Sequence, residues 1–413
     1  MPIPTFREVQ REIGAQLREH GVLAAVLVDL GTLSQIERSF GGATFRGLRA
    51  QIDPLLEEMR ERFRQNDLLT RDETEGDRFV LFLGGPREGD SSFSVDSLRK
   101  LVERVEDYVN PRVGRLTLPY LREKPQVGVG YGIVLFSPLE SPERLVLRLV
   151  EDAVASALMR DKLRDRDQRE RMIEIIQNRE IWTAFQPIID LGDGGIMGWE
   201  GLSRGPRGSD LELPLVLFGR AGRFGVTEEL ERACRRQAFL DWKALDRKGR
   251  LFVNTVPATV RDTSFLGRGV LDYLGPDLSP QGVTLEITER SVIDNLNLYR
   301  EAMQAFTDLG FSFAIDDVGT GYSGLETVAV LKPAYLKIDM SLVRDVHQKR
   351  TSQKVVKAIL EMGEGLGADV IAEGVQTEDE AAALREIGVH WAQGYLFARP
   401  IDPYADPSSP RPV

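Results

Sequence analysis

The sequence predicts an α/β protein in which a (β/α)8-type barrel, with one irregular strand, follows a smaller α/β domain. The barrel rests on eight short apolar strands that recur after Ile181, with helical patterns in most of the gaps. The smaller domain rests on a separate set of strands and amphipathic segments ahead of Pro142. Length agrees, because 413 residues exceed one ordinary compact core. The expected division is a domain over 1–165, a connecting helix over 166–180, a barrel over 181–405 and a disordered tail over 406–413.

In the first domain Gly21–Leu30 (GVLAAVLVDL), Phe79–Leu83 and Gln126–Phe136 read as strands. Phe45–Arg64 has helical spacing, with Leu48, Ile52, Leu55, Leu56, Met59 and Phe63 on one side, and Val95–Val109 is a second helix. From Pro142 to Glu180 the helical pattern scarcely pauses. Its stretch Arg160–Arg171 (RDKLRDRDQRER) is a mixed-sign run of the kind that forms a solvated helix face.

The barrel strands are read at Thr183–Ile189, Ile196–Leu202, Leu251–Thr255, Val283–Thr288, Phe311–Asp316, Tyr335–Ile338, Val370–Glu373 and Trp391–Phe397. Helices fill gaps at Glu228–Leu245, Leu298–Leu309, Thr351–Leu366 and Thr377–Ile387. The turn Asp190–Gly195 (DLGDGG) is too short for a helix, so the first two strands can form a hairpin.

Hydrophobic content of 42% and charged content of 28% fit a globular protein. A net charge of −11 argues against a nucleic-acid polymer as partner. It does not exclude a small anion, because bound metals add positive charge. The one cysteine, Cys234, allows no intrachain disulfide, suits a reducing compartment and reads as a small buried hydrophobe. No basic segment followed by an apolar run opens the chain, and no stretch is apolar enough to span a membrane. The expected setting is the cytoplasm.

Polar residues gather where the strands end. Gln186 belongs to the first strand; Glu200 and Arg204 to the second; Asn254 to the third; Glu286 to the fourth. Asp316 and Asp317 end the fifth, Lys337 and Asp339 the sixth and Glu373 the seventh, while Gln393 opens the eighth. In a closed barrel such ends share one mouth, the usual place for catalysis. Carboxylates converging there repel one another unless cations sit among them. Hard oxygen donors without a histidine cluster suit Mg2+ or Mn2+ and not zinc. Lys337 could steady an activated water or a phosphate oxygen, and Gly319–Ser323 could fold over a ligand. Taken one at a time, Glu286, Asp316 or Glu373 could cap a helix, Asn254 could be a turn residue, Lys337 a solvated or ion-paired lysine and Glu289 a loop brace. Their joint occurrence at strand ends is what points to chemistry.

These residues resemble the EAL phosphodiesterase family across about residues 172–403. The chain carries, in order, FQPIID (185–190), EGLSR (200–204), VNTVP (253–257), EITE (286–289), DDVGTGYSGL (316–325), LKIDMSLV (336–343), AEGVQ (372–376) and QGYLFARP (393–400). The resemblance implies hydrolysis of cyclic di-GMP to linear pGpG by two divalent ions, Mg2+ or Mn2+. It implies that Glu200, Asn254, Glu286 and Asp316 hold one ion and that Asp316, Asp317 and Glu373 help hold the other. Lys337 would contact the attacking water, Glu289 would brace the loop after the fifth strand, and Gln186, Leu202, Arg204 and Gln393 would contact the dinucleotide. A homodimer and a regulatory protein partner are also expected. Two positions depart from the family pattern: Gly201 stands for its alanine and Val318 for its phenylalanine. A catalytically silent receptor would ordinarily have lost metal ligands, and none is lost. A pure scaffold would bind no nucleotide at all.

Residues 1–165 resemble the GGDEF diguanylate cyclase family. LVDLGTLSQIERSFG (27–41) places Asp29 in its metal-aspartate position, while the signature reads Glu75-Gly76-Asp77-Arg78-Phe79. A carboxylate at Glu75 would repel phosphate and Arg78 cannot ligate Mg2+, so no cyclase activity is expected. Arg64-Gln65-Asn66-Asp67 has the R-x-x-D form of the family's product-binding inhibitory site, but a surface ion pair at a helix end is the preferred reading.

Overall fold

In the computed structural model the described residues are 3–71, 77–84, 94–120, 125–244, 249–255, 278–288, 296–319 and 330–404, with 274 and 328. They form two compact units, Met1–Arg169 and Glu170–Val413.

The first unit is an antiparallel sheet with helices packed on it. Its strands are β1 (Val22–Asp29), β2 (Leu68–Arg71), β3 (Arg78–Leu83) and β4 (Gly128–Leu135), in the order β2-β3-β1-β4. β1 reads as a continuous apolar run because both of its faces are covered. Ala24, Val26 and Val28 join the core with residues of α3 (Gly42–Arg60) and α4 (Val95–Thr117). Leu23, Ala25 and Leu27 join the core of α1 (Phe6–His20) and α5 (Pro142–Gln177). Helix α2 (Ser34–Phe40) lies between β1 and α3 in the chain. β4 accepts α5 at close range through glycine: a Cβ on Gly130 would lie 2.2 Å from the Ala153 carbonyl oxygen.

Two elements here escaped the sequence reading. α1 starts at a capping box of Thr5 and Glu8 and stops at Gly21, whose φ is 68°. β2 is a four-residue edge strand, too short for a periodic signal.

The second unit is a closed barrel in the order β10-β11-β12-β5-β6-β7-β8-β9. Its strands are β5 (Trp182–Asp190), β6 (Ile196–Arg204), β7 (Arg250–Asn254), β8 (Val283–Thr288), β9 (Ser312–Val318), β10 (Tyr335–Ile338), β11 (Asp369–Ala372) and β12 (Trp391–Ala392). β5 runs antiparallel to both neighbours, as the hairpin reading anticipated, and every other pairing is parallel. The expected eighth strand, Trp391–Phe397, is cut to two residues. Gly394 presses its backbone onto Val375, where a Cβ would lie 2.0 Å from the carbonyl oxygen, and the chain turns away there.

Ile188, Phe252, Ala314, Tyr335 and Ile371 fill the barrel interior, with Phe252 and Tyr335 edge to face at 5.1 Å. Around it lie α6 (Pro214–Phe224), α7 (Thr227–Ala244), α8 (Leu296–Asp308), α9 (Met340–Val343), α10 (Arg350–Leu366) and α11 (Glu378–Ile387). Among the described residues no helix is long and apolar enough to cross a membrane. The expected tail 406–413 lies outside them.

Candidate functional site

Parallel strands in a closed barrel deliver their C-terminal ends to one mouth, and the reversed β5 delivers its N-terminal half there. Gln186 thus pairs with Glu200 across β5 and β6, and Asn254 stands opposite Glu286 across β7 and β8. Lys337 lies within β10, while Glu373 and Gln393 directly follow β11 and β12.

These residues build a buried nest of carboxylates around one ammonium. Lys337 is fully buried, with Nζ 2.7 Å from Glu286 Oε1 and 2.7 Å from Glu373 Oε1. Glu200 Oε2 is 3.5 Å away and Asp316 Oδ1 3.7 Å. Of the two readings of Lys337 taken singly, solvated or ion-paired, the structure shows the ion-paired one, inside the nest. Burial alone would lower its pKa, but the surrounding carboxylates hold it well above the usual lysine range.

One ammonium cannot neutralise this many acids. Burial, with Glu200 and Asp316 nearby, drives the Glu286 carboxyl well above its ordinary value against the pull of Lys337. Burial and neighbouring acids raise Glu373 to about 8, again against Lys337. Asp317 rises to about 6 through burial and the charges of Asp316 and Asp339. Glu200 moves the other way. Burial works against its charged form, but Lys337 and the amides of Gln393 and Asn254 outweigh it.

Those amides are the frame of the site. Gln393 Nε2 donates to Glu200 Oε2 at 2.6 Å and to Gln186 Oε1 at 2.9 Å. Gln186 Nε2 donates to the Ala398 carbonyl, and Asn254 Nδ2 donates to Glu200 Oε1 at 3.0 Å. Both glutamines are buried, and in this structure they brace Glu200. Gln393 Oε1 is buried without a hydrogen-bond partner and remains an acceptor.

The donor set fits hard divalent cations. Asp316, Asp317 and Glu373 each offer a carboxylate oxygen, all within 4.8 Å of one another. Glu286 Oε2 is buried with no hydrogen-bond donor, the condition of an acceptor short of a cation. Asp317 holds φ at 60°, a left-handed conformation that aspartate tolerates, and its N–H donates to Asp316 Oδ1 at 2.9 Å.

Arg204 is half-buried beside Tyr395, and Nη1 donates to the Ser203 carbonyl. Leu202 lines a cavity of about 320 Å³ with Asn254, Thr255, Phe218 and Cys234. Burial pushes the Cys234 thiol up to about 12, which suits an inert core residue. The sequence reading passed over Tyr395 and Arg399, although both stand in the QGYLFARP segment; the Arg399 guanidinium lies 4.8 Å from the exposed Tyr395 ring. Glu289 and Thr320–Ser323 lie outside the described residues. A larger cavity of about 580 Å³, lined by Trp182, Arg207, Asp241 and Tyr404, contains none of the expected site residues.

Of the two departures, Val318 is a core residue paired with Ile338. At Gly201 an added methyl would meet Thr183 Cγ2 at 3.3 Å and nothing closer. Gly201→Ala is therefore expected to change stability by less than about 1 kcal/mol and to leave metal binding unchanged. Thermal unfolding and a metal titration check this, and a large loss in either would show that the strand cannot shift.

The family model for the EAL domain matches residues 166–400. The chain belongs to the EAL family. This EAL protein is 29% identical over 346 residues to an uncharacterized protein of Mycobacterium tuberculosis H37Rv, covering 79% of this chain and 54% of that one. It is 34% identical over 219 residues to the Escherichia coli K12 protein named "Probable cyclic di-GMP phosphodiesterase PdeA", covering 52% of this chain and 28% of the other. The chain thus spans about half the length, or less, of these curated relatives. Among solved structures, EAL enzyme Bd1971 with cAMP and cyclic-di-GMP bound is 26% identical, with a TM-score of 0.53 over 67% of this chain and 80% of that one. The Xanthomonas citri FimX EAL domain in complex with c-diGMP shares the fold at 19% identity and a TM-score of 0.54, covering 58% and 96%.

Proposed function

We propose that this EAL barrel hydrolyses cyclic di-GMP to linear pGpG with two divalent ions, Mg2+ or Mn2+. The observation that carries the reading is the nest itself: buried and partly buried carboxylates from separate strands, gathered on the one ammonium of Lys337 among the described residues. A relative solved with cyclic-di-GMP bound and a relative named for its hydrolysis support the choice of substrate.

Glu200, Asn254, Glu286 and Asp316 would hold one ion, and Asp316, Asp317 and Glu373 the other. Bound there, the ions supply charge that makes a water nucleophilic near neutral pH and offsets charge on the phosphoryl oxygens. The chain's own residues set the geometry. Gln393 and Asn254 fix both Glu200 oxygens, and Lys337 Nζ orients the water or a phosphate oxygen. Leu202, Arg204, Gln186 and Gln393 form the dinucleotide side, with Glu289 bracing the loop after β9. An acidic protein can then bind an anion because the bound ions, with Arg204 and Lys337, would meet the phosphate charge.

The same proposal reads the first unit as a cyclase-like regulatory domain without cyclase activity. Both oxygens of Asp29 are engaged, one by Arg78 Nε at 2.9 Å and the other by the Gly31 N–H at 2.8 Å. On that reading Arg78 takes the place a metal would hold. Asp67 is buried and accepts the backbone N–H groups of Arg64 and Gly84, so it holds a turn together. Glu75 and Gly76 lie outside the described residues. A cytoplasmic homodimer answering to a regulatory partner completes the reading.

The test is incubation with cyclic di-GMP and Mg2+ or Mn2+, with products separated by chromatography. pGpG is expected, production should stop in EDTA, and excess metal should restore it; GTP should yield no cyclic di-GMP. Tight binding without pGpG at any pH would replace this reading with that of a receptor.

A further inference from the structure

β12 pairs with Ile189 and Asp190 of β5 and stops short of Phe185 and Gln186. The segment Ala398–Tyr404 takes over that edge. The Ile401 N–H donates to the Phe185 carbonyl at 2.8 Å, and the Phe185 N–H to the Ile401 carbonyl at 3.0 Å. Beside this bridge, Gln186 Nε2 donates to the Ala398 carbonyl at 2.9 Å. That last bond sets a direction. A carbonyl only accepts, so Gln186 must turn Nε2 toward Ala398 and Oε1 the other way. Oε1 then takes one hydrogen of Gln393 Nε2 at 2.9 Å, which leaves the second for Glu200 Oε2 at 2.6 Å. Were the Gln186 amide reversed, two NH2 groups would face each other and Gln393 could not keep both bonds.

The groups that hold the Ala398 carbonyl in place lie outside the nest. Arg207, in the loop after β6, grips both Asp402 oxygens: Nη2 donates to Oδ1 at 2.7 Å and Nη1 to Oδ2. Its guanidinium lies over the Trp182 ring, 4.0 Å from the centroid. Asp402 Oδ1 also accepts the Tyr404 N–H at 2.8 Å, and the Tyr404 hydroxyl donates to Asp241 Oδ1 at 2.8 Å. Asp241, on α7, is fully buried; it also accepts the Thr183 N–H of β5 at 2.9 Å and Gln237 Nε2 at 2.7 Å. One carboxylate thus ties β5, α7 and the returning segment together. The wall that Trp182, Arg207, Asp241 and Tyr404 give the larger cavity is a clamp.

We propose that Asp402 and Tyr404, gripped by Arg207 and Asp241, are positioning residues for the metal site. They hold the Ala398 carbonyl, which orients Gln186, then Gln393, then Glu200. A carboxylate held by oriented donors keeps its oxygens aimed at a cation, and loosening such donors weakens the metal. The inference rests on Glu200 as a metal ligand, the reading proposed above, and extends it to residues beyond the nest.

The test is calorimetric titration of the full chain with Mn2+, well below the unfolding midpoint. Asp402→Ala combined with Tyr404→Phe should weaken Mn2+ binding about tenfold, the low end for groups that orient a metal ligand. Tyr404→Phe alone, which removes one hydroxyl, should weaken it about threefold. Lys349→Gln, which breaks a surface pair with Asp345 in the same unit, should leave the titration unchanged. A clamp serving stability alone would lower the midpoint and leave the Mn2+ affinity of the folded variants at the wild-type value. The metal-free protein gives a second readout, the side-chain N–H exchange of Gln186 and Gln393 in glutamine-labelled NMR samples. In the double variant that exchange should be on the order of tenfold faster. Wild-type Mn2+ affinity in the double variant, equal weakening by Lys349→Gln, or unchanged exchange would overturn the inference. A wild-type chain that binds Mn2+ yet yields no pGpG would overturn the hydrolysis reading only; one that binds no Mn2+ would overturn both.

Discussion

Replacing Lys337 with methionine is expected to destabilise the metal-free barrel by about 3–5 kcal/mol, the usual cost of stripping one partner from a buried ion pair. Methionine nearly preserves volume, so packing is not the issue. Glu286 and Glu373 each lose a 2.7 Å contact and are left facing Glu200 and Asp316. The unfolding midpoint in EDTA should fall, and Mn2+ should recover part of the loss by returning positive charge to the nest. An unchanged midpoint would show that the carboxylates do not depend on the lysine. A pH dependence accompanies this. Glu373 has its folded pKa raised from 4.5 to about 8, so the metal-free protein keeps the favourable protonated form at low pH. It should lose stability as pH climbs from about 4.5 to about 8, with Glu286 adding in the same direction. A denaturant midpoint in EDTA that rises across that window would contradict the assignment.

Asp316→Asn should lower cyclic di-GMP turnover on the order of 10³-fold, beyond the 10–100-fold typical of residues that merely orient a metal ligand. The substitution is chosen because asparagine keeps a carbonyl oxygen where Asp316 Oδ1 accepts the Asp317 N–H at 2.9 Å. The turn that holds Asp317 at φ 60° should survive while the charge is lost. In EDTA the unfolding midpoint should hold or rise, since one source of repulsion is gone, and calorimetry should show weakened Mn2+ binding. Turnover near the wild-type rate would remove Asp316 from the proposed ligand set.

Most of the barrel was legible because parallel strands buried on both faces leave short apolar runs, and polar residues at their ends interrupt those runs visibly. The hairpin of β5 and β6 was legible from its turn. The end of β12 was not: Trp391–Phe397 is apolar enough for a strand, and only the contact of Gly394 with Val375, distant in sequence, cuts it short. α1 could have been found from Phe6, Val9, Ile13 and Leu17 and its capping box, but its charges masked the pattern.

The site was legible as a list of residues and illegible as a network. Sequence pointed to Gln186 and Gln393 at the mouth. It could not show that both are buried and that Gln393 donates to Glu200 Oε2, because that depends on strand register. It could not show that Lys337 is enclosed either, since spacing does not reveal which neighbours surround a side chain.

The reversed direction of β5 settles where the polypeptide enters the barrel. In an all-parallel barrel the first strand begins at the closed floor, far from the ligand. Here Trp182 sits opposite Arg204, so the chain arrives on the open side, four residues ahead of Gln186. The doorway and the carboxylate nest share one rim.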